Sequence, residues 1–209
     1  TGDPVLKNVL ISGNSASDYG GGVCSRFNKS NPSLINVSII DNVSNYGSGI
    51  QIYDYGAISL KNCIVWGSDA DQIEKTLGTS ISISYSNIQG GWEGEGNISY
   101  DPLFIDTANG DYHLQPESPL IDSGNPDLDG DGITWETDTD DQDPDGSRLD
   151  IGAFTYFQDG PILFFNHPQT AITEENGNGS FVFSAKGGWP RTYQWERNGE
   201  PILGATQPS

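Results

Sequence analysis

Short apolar runs, such as Val9 to Ile11 and Ile50 to Tyr53, alternate with Gly, Asn and Ser along the first hundred residues. β-Branched and aromatic residues set between turn formers read as strands, and runs this short do not fold as isolated elements. Their arrangement repeats. Leu6-Lys7-Asn8-Val9, Leu34-Ile35-Asn36-Val37, Leu60-Lys61-Asn62-Cys63 and Tyr85-Ser86-Asn87-Ile88 read in one frame, which sets the Asn residues 28, 26 and 25 positions apart. Inside it, Ile11-Ser12-Gly13-Asn14 with Tyr19-Gly20-Gly21-Gly22-Val23 matches Ile39-Ile40-Asp41-Asn42 with Tyr46-Gly47-Ser48-Gly49-Ile50. Units of this length, each holding two or three strands, predict a solenoid in which every coil buries its apolar residues against its neighbours. The Asn row reads as a stacked turn bonded from coil to coil, and the glycines as positive-φ corners between strands.

Composition narrows the class to all-β. Gly is abundant at 27 residues and only 18% of the chain is charged, so long amphipathic helices have little to be built from. Nine basic residues against 29 acidic ones give −20, a balance that repels a phosphate backbone and an anionic membrane surface, so no nucleic acid is expected as a partner. No apolar run approaches the ~20 residues of a membrane span, so no membrane insertion is expected. Two cysteines, Cys24 and Cys63, are too few for a disulfide framework and read as small buried hydrophobes. The opening Thr1-Gly2-Asp3-Pro4 has neither an initiator Met nor a signal-peptide pattern, as in an internal fragment.

The stretch YGGGV…LINVSIIDN…YGSGI resembles the right-handed parallel β-helix proteins of the pectin-lyase-like superfold. SYSNIQGGWEGEGNISYDPLFIDTANGDYHLQPESPLIDSGNPDLDGDG, with the later SRLDIGAF, resembles the last coil and cap of the bacterial surface family called choice-of-anchor Q. Together these resemblances cover Thr1 to about Tyr156. They imply a right-handed parallel β-helix displayed outside the cell, secreted or on the cell surface.

Eleven acidic residues lie between Asp122 and Asp150 with Arg148 as the one base, so this stretch alone carries −10. Such a cluster favours cations. Asp127, Asp129, Asp131 and Asp138 stand at positions 1, 3, 5 and 12 of a twelve-residue loop, with Gly132 at position 6 and the Ile133 carbonyl at position 7. That spacing folds oxygen donors around one hard cation, so Ca2+ is the expected cofactor. Asp at position 12 reaches less far than Glu, and no amphipathic helices flank the loop, which predicts a helix-less calcium loop. A second run, Asp138 and Asp140 to Asp145 with Asp141 and Asp143 inside it and Asp150 beyond, resembles the calcium repeats of thrombospondin type 3. Ile121, Leu149, Ile151 and Phe154 are expected to cover the open end of the last coil as a cap.

From Pro161 the character changes, with period-2 patterns at Gly179 to Ala185 and Thr192 to Glu196 followed by an Asn198-Gly199 turn. YQWERNGEPILGAT resembles bacterial immunoglobulin-like domains, which implies that Trp195 packs in a sandwich core, although Phe181 and Val182 stand where such a domain has a Cys. A sandwich of this kind needs ~100 residues, so the module is partial and calls for a neighbouring chain or a continuation to cover it. The expected organisation is coils over residues 1–100, a final coil and Asp-rich cap over 101–157, and a partial immunoglobulin-like module over 158–209.

The superfold also hosts polysaccharide lyases and hydrolases, but a fold does not decide a function. The acids of coils one to three are Asp3, Asp18, Asp41, Asp54, Asp69, Asp71 and Glu74, and the bases are Lys7, Arg26, Lys29, Lys61 and Lys75. None recurs as a stacked cluster of the kind lyase or hydrolase chemistry needs. His113 reads as a strand residue and His167 as a linker residue. The expected role is therefore a non-catalytic structural or adhesive surface protein, self-associating or bound to neighbouring chains and assembled as a polymer or filament. The competing role is a polysaccharide-binding or polysaccharide-cleaving β-helix whose site lies in coils outside this stretch. Carbohydrate is the partner class that role brings, through aromatic faces such as Tyr53 and Tyr55 beside Asp54.

Overall fold

A computed structural model describes residues 3–27, 31–67, 71–158, 162–166, 184–186 and 193–206. The repeating unit forms β1 (Val5–Ser12), β2 (Val23–Arg26), β3 (Ser33–Ile40), β4 (Ile50–Tyr53), β5 (Ala57–Lys61), β6 (Ile64–Trp66), β7 (Ile73–Lys75), β8 (Ser80–Ser84) and β9 (Asn87–Ile88). Every pairing among them is parallel and joins strands one coil apart. One sheet stacks β1, β3, β5 with β6, and β8 with β9; the other stacks β2, β4 and β7. The chain is thus all-β and forms a parallel β-solenoid of four rungs joined by three turns.

Alternation along each strand sorts the side chains. Ile11 pairs with Ile39, Ile39 with Val65 and Val65 with Ile88, and these positions run up the interior beside Val37, Leu34, Leu60, Ile50 and Ile52. At the corners, Gly20 and Gly47 have φ of 58° and 60°, whereas Gly22 and Gly49 serve close approach. A Cβ on Gly49 would stand 2.6 Å from Val65 Cγ1. Cys63 is buried in this interior, but Cys24 is exposed, because it lies between inward-facing Val23 and Ser25 on β2 and points the other way.

Asn8, Asn36 and Asn62 hold φ of 53° to 55°, a left-handed bend that Asn tolerates better than most residues, and Asn36 Nδ2 donates to Asn8 Oδ1 at 3.1 Å. In the third rung this bend separates β5 from β6. The fourth rung departs from the sequence frame: Lys61 pairs with Ser84 and Ile64 with Asn87, an offset of 23 residues. Tyr85, with φ of 48°, therefore takes the bend, and Asn87 lies two residues further on, in the strand. Inward burial of Ile88 over Val65 sets this register, since a slip of one residue would turn the apolar set outward. Asn87 instead exchanges two bonds with the backbone of Tyr100, both 2.9 Å.

After the coils, β10 (Phe104–Asp106) and β11 (Asp111–Leu114) form an antiparallel hairpin around a 3₁₀ turn at Thr107–Asn109. The acidic segment then packs on the flank of the solenoid. Leu114, Leu120, Ile121 and Ile151 form a second core with Ile64, whose side chain faces outward from β6. Asn125 N–H donates to Asn62 Oδ1 at 2.7 Å, Gly152 N–H to the Asn62 carbonyl at 2.9 Å and Ala153 N–H to Ser38 Oγ at 2.9 Å. These partners belong to the second and third rungs, so Ile121 and Ile151 line the outer face there and not the open end of the last coil. The reason is visible in the outward row: Ile64 is apolar and needs cover, whereas Asn87 at the next rung is polar and already bonded. Phe154 lies against the His113 ring, 4.5 Å between centroids.

Two compact units emerge, one of residues 1–143 with 148–156 and one of 144–147 with 157–209. The second contains β12 (Leu163–Asn166) paired antiparallel with β13 (Ser184–Lys186), and β14 (Glu196–Arg197) paired antiparallel with β15 (Glu200–Pro201). Asn198 and Gly199 have φ of 55° and 83°, the two positive values a two-residue hairpin turn requires. Half-buried Trp195 donates its N–H to the Ala205 carbonyl at 3.0 Å and accepts from Ile202 N–H at 2.8 Å. Residues 179–183, with Phe181 and Val182, and also Thr192, His167, Lys29 and Asp69 lie outside the described residues.

Candidate metal centre

Asx turns shape the acidic loop before any ion is considered. Asp127 accepts from Gly130 N–H at 2.8 Å and Gly132 N–H at 3.1 Å, Asp129 from Asp131 N–H at 3.0 Å, and Asp131 from Ile133 N–H at 2.7 Å. Gly130 and Gly132, with φ of 85° and 87°, let the chain double back between these turns. The loop therefore closes on itself without helices on either side.

Folding brings Asp127 and Asp129 to Asp141, with one carboxylate oxygen of each within 4.8 Å of the others. Asp141 arrives on a 3₁₀ turn (Thr139–Asp141) capped by Asp138, whose carboxylate accepts from Asp140 N–H at 3.2 Å. Asp141 is only 1% exposed; its Oδ1 accepts from Leu128 N–H at 2.7 Å, while its buried Oδ2 has no hydrogen-bond partner. Burial raises the Asp141 carboxyl above the usual carboxylate range, the Leu128 N–H pulls it back, and the charges of Asp129, Asp127 and Asp140 raise it further.

The nearby bases Arg148 and Lys61 do not answer this charge. Arg148 spends two donors on the Gly124 carbonyl and lies over the Tyr85 ring, 6.0 Å from its centroid. Lys61 Nζ donates to the Leu128 carbonyl at 3.1 Å. Among the described residues no ion pair joins either base to the three carboxylates. Three oxygen donors around a buried, unsatisfied carboxylate oxygen suit a hard cation, which would neutralise charges that otherwise repel.

The remaining residues of the acidic reading lie elsewhere. Asp131 is exposed, Ile133 is 48% exposed, and Asp138 is a half-buried cap whose carboxyl is raised by its hydrogen bond with Asp140. Asp143 and Asp150 are buried together: Asp143 accepts from Asp150 N–H at 3.0 Å and from Thr155 Oγ1 at 3.0 Å, and Asp150 accepts from Asp122 N–H at 2.8 Å and Tyr156 N–H at 2.7 Å. Burial first, and the Asp143 charge after it, hold the Asp150 carboxyl well above its ordinary range. All four oxygens of this pair have protein donors, so it acts as a hub for the Leu120–Tyr156 backbone. Asp145, in the second unit, accepts from Ser147 N–H at 3.0 Å, from Ser147 Oγ at 2.6 Å and from Gln158 N–H at 2.7 Å. The sequence places Asp141 in the second acidic run with Asp143 and Asp145; its partnership with Asp127 and Asp129 is what a linear spacing count passes over, and only the closing of the segment reveals it.

Exposed Tyr19 and Tyr46 and half-buried Tyr53 form an aromatic row on the coils, with ring centroids 5.4 Å apart for Tyr19–Tyr46 and 5.0 Å for Tyr19–Tyr53. Arg26 donates to Tyr53 Oη at 2.8 Å and lies over the Phe27 ring. No helix among the described residues is long and apolar enough to cross a membrane. No protein-family model, no curated protein and no solved structure matches this chain.

Proposed function

We propose that the chain is a non-catalytic structural or adhesive β-helix of the right-handed parallel type, secreted or on the cell surface, and stabilised by Ca2+. The observation that carries this reading is the buried, unpartnered Asp141 Oδ2 beside Asp127 and Asp129 on a segment docked to the solenoid flank. Repulsion among these carboxylates weakens the docking, and a cation that binds only the folded arrangement strengthens it. The millimolar affinity of extracellular calcium modules is sufficient for this role. The rung-to-rung bonds of Asn8 with Asn36 and of Asn14 with Asn42 tie the coil surface to itself, as a scaffold requires. The motif resemblances of the coils and of the DPLF and SRLDIGAF segments agree with surface display. Self-association, or completion of the partial immunoglobulin-like module by a neighbouring chain, belongs to the same proposal.

The experiment is a calcium titration of the whole chain followed by thermal unfolding and sedimentation velocity, each with a chelator control. Calcium-dependent stabilisation supports the cation role, and unchanged melting in chelator removes it. A single monomeric species at all concentrations removes the assembly part. The tyrosine row favours one second reading, a polysaccharide-binding or lyase-like solenoid, because aromatic faces stack on sugar rings. Retention on an immobilised neutral polysaccharide, lost on replacing Tyr19 and Tyr46 by Ala, would support that reading instead.

A further inference from the structure

The ends of β3 and β6 and the β10–β11 hairpin enclose an open cleft of ≈ 370 Å³ lined by Trp66, Phe104, Asp41 and Asp101 among others. Its walls are built, not incidental. Asp41 leaves β3 in a left-handed turn (φ 52°), donates its N–H to the Trp66 carbonyl at 3.0 Å and rests its carboxylate against Gly67, where a side chain would collide with it. On the opposite wall Leu103 is also left-handed (φ 54°), uncommon for a bulky residue. It is held there by Asp101 Oδ1, which accepts its N–H at 3.0 Å, and by Gln115 N–H, which donates to its carbonyl at 2.8 Å. Gln115 Nε2 in turn fixes the Phe104 carbonyl at 2.7 Å.

Among the described residues, no Lys, Arg or His lines this cleft and neither carboxylate has a cationic partner. An anion is therefore disfavoured by charge, and a neutral ligand gains less from the two carboxylates than a cation does. A guanidinium suits this lining: its flat face can lie on the accessible part of the Trp66 or Phe104 ring, and its forked N–H groups can reach the two carboxylates. We propose that this cleft receives an Arg side chain of a partner protein. The site is separate from the carboxylates of the candidate metal centre and stands or falls independently of them.

The test is a 1H–15N titration of the whole chain with Nα-acetyl-L-arginine methylamide and with its neutral citrulline isostere. The arginine compound should saturate shifts at the Trp66 indole N–H and at the amides of Asp41, Leu103 and Phe104, and the citrulline compound should bind at least about ten-fold more weakly. Asp41→Asn with Asp101→Asn, which keeps the acceptor for Leu103, should weaken the arginine compound by about ten-fold or more. Equal binding of both compounds overturns the proposal, as do shifts that never saturate and spread over the acidic segment. Unaltered binding by the double variant overturns it as well. The comparison of the two compounds uses the parent protein alone, so it decides the question even where the variant folds poorly.

Discussion

Asp141→Asn separates the two roles of the Asp141 carboxylate. Asn is close to isosteric: its Oδ1 can keep the 2.7 Å bond from Leu128 N–H, and its Nδ2 replaces the unpartnered Oδ2 with a donor beside Asp127 and Asp129. An unsatisfied buried polar group costs about 1–3 kcal/mol, and more when charged. In chelator, D141N should therefore be more stable than the parent by ~1 kcal/mol or more. Calcium reverses the order. With a Kd of roughly 10⁻⁴–10⁻³ M, as for extracellular modules, about 10 mM calcium stabilises the parent by RT ln(1 + [L]/Kd), or ~1.4–2.7 kcal/mol. For a unit of about 150 residues this raises Tm by roughly 3–11 °C, while D141N, short of one carboxylate ligand, gains little. Thermal unfolding followed by far-UV circular dichroism, in chelator and in calcium, reads both signs. The reasoning is refuted if D141N gains the same calcium increment as the parent, or if it is less stable than the parent in chelator.

Without calcium, stability should fall as pH rises above about 4, because Asp141 and Asp150 have folded-state pKa values above their unfolded ones and the folded chain binds more protons. Calcium competes with the Asp141 proton and should flatten the part of the slope due to that group, which urea midpoints between about pH 4 and 8 will show. Ile64→Ala removes a side chain buried between the solenoid and Leu120, Ile121 and Ile151, and should cost about 2–5 kcal/mol, whereas Leu77→Ala at a fully exposed position should stay within about 0.5 kcal/mol. Of the two thiols, Cys24 should react with a disulfide reagent in the native state and Cys63 only on unfolding, since burial pushes the Cys63 thiol up to about 12.

The solenoid was legible because its signal is redundant: the same apolar and turn residues recur at each coil, and Ile11, Ile39 and Val65 fall where the repeat puts them. Its last rung was not, because the Asn of Tyr85-Ser86-Asn87 imitates the ladder residue while inward burial of Ile88 decides the register. Cys24 escaped for a similar reason, since residue type says buried and strand alternation says exposed. The docking face of the acidic segment was likewise hidden, because an outward-facing Ile64 cannot be told from an inward one until both faces of the coil have been assigned.

A linear spacing rule groups acids that are near in sequence, and it selected Asp131 and Asp138 to complete the set of Asp127 and Asp129. Folding instead makes Asp131 part of an Asx turn and Asp138 a cap, and it brings in Asp141 because Leu128 offers its N–H to that carboxylate. Leu128 also accepts from Lys61 Nζ through its carbonyl. One residue, through its two flanking peptide groups, thus links the carboxylate cluster to the third rung of the solenoid. A cation held by Asp127, Asp129 and Asp141 would fix that residue from one side while Lys61 fixes it from the other. The stabilisation it supplies should accordingly reach the coil as well as the loop, and slow amide exchange along β5 and β6 would carry its signature.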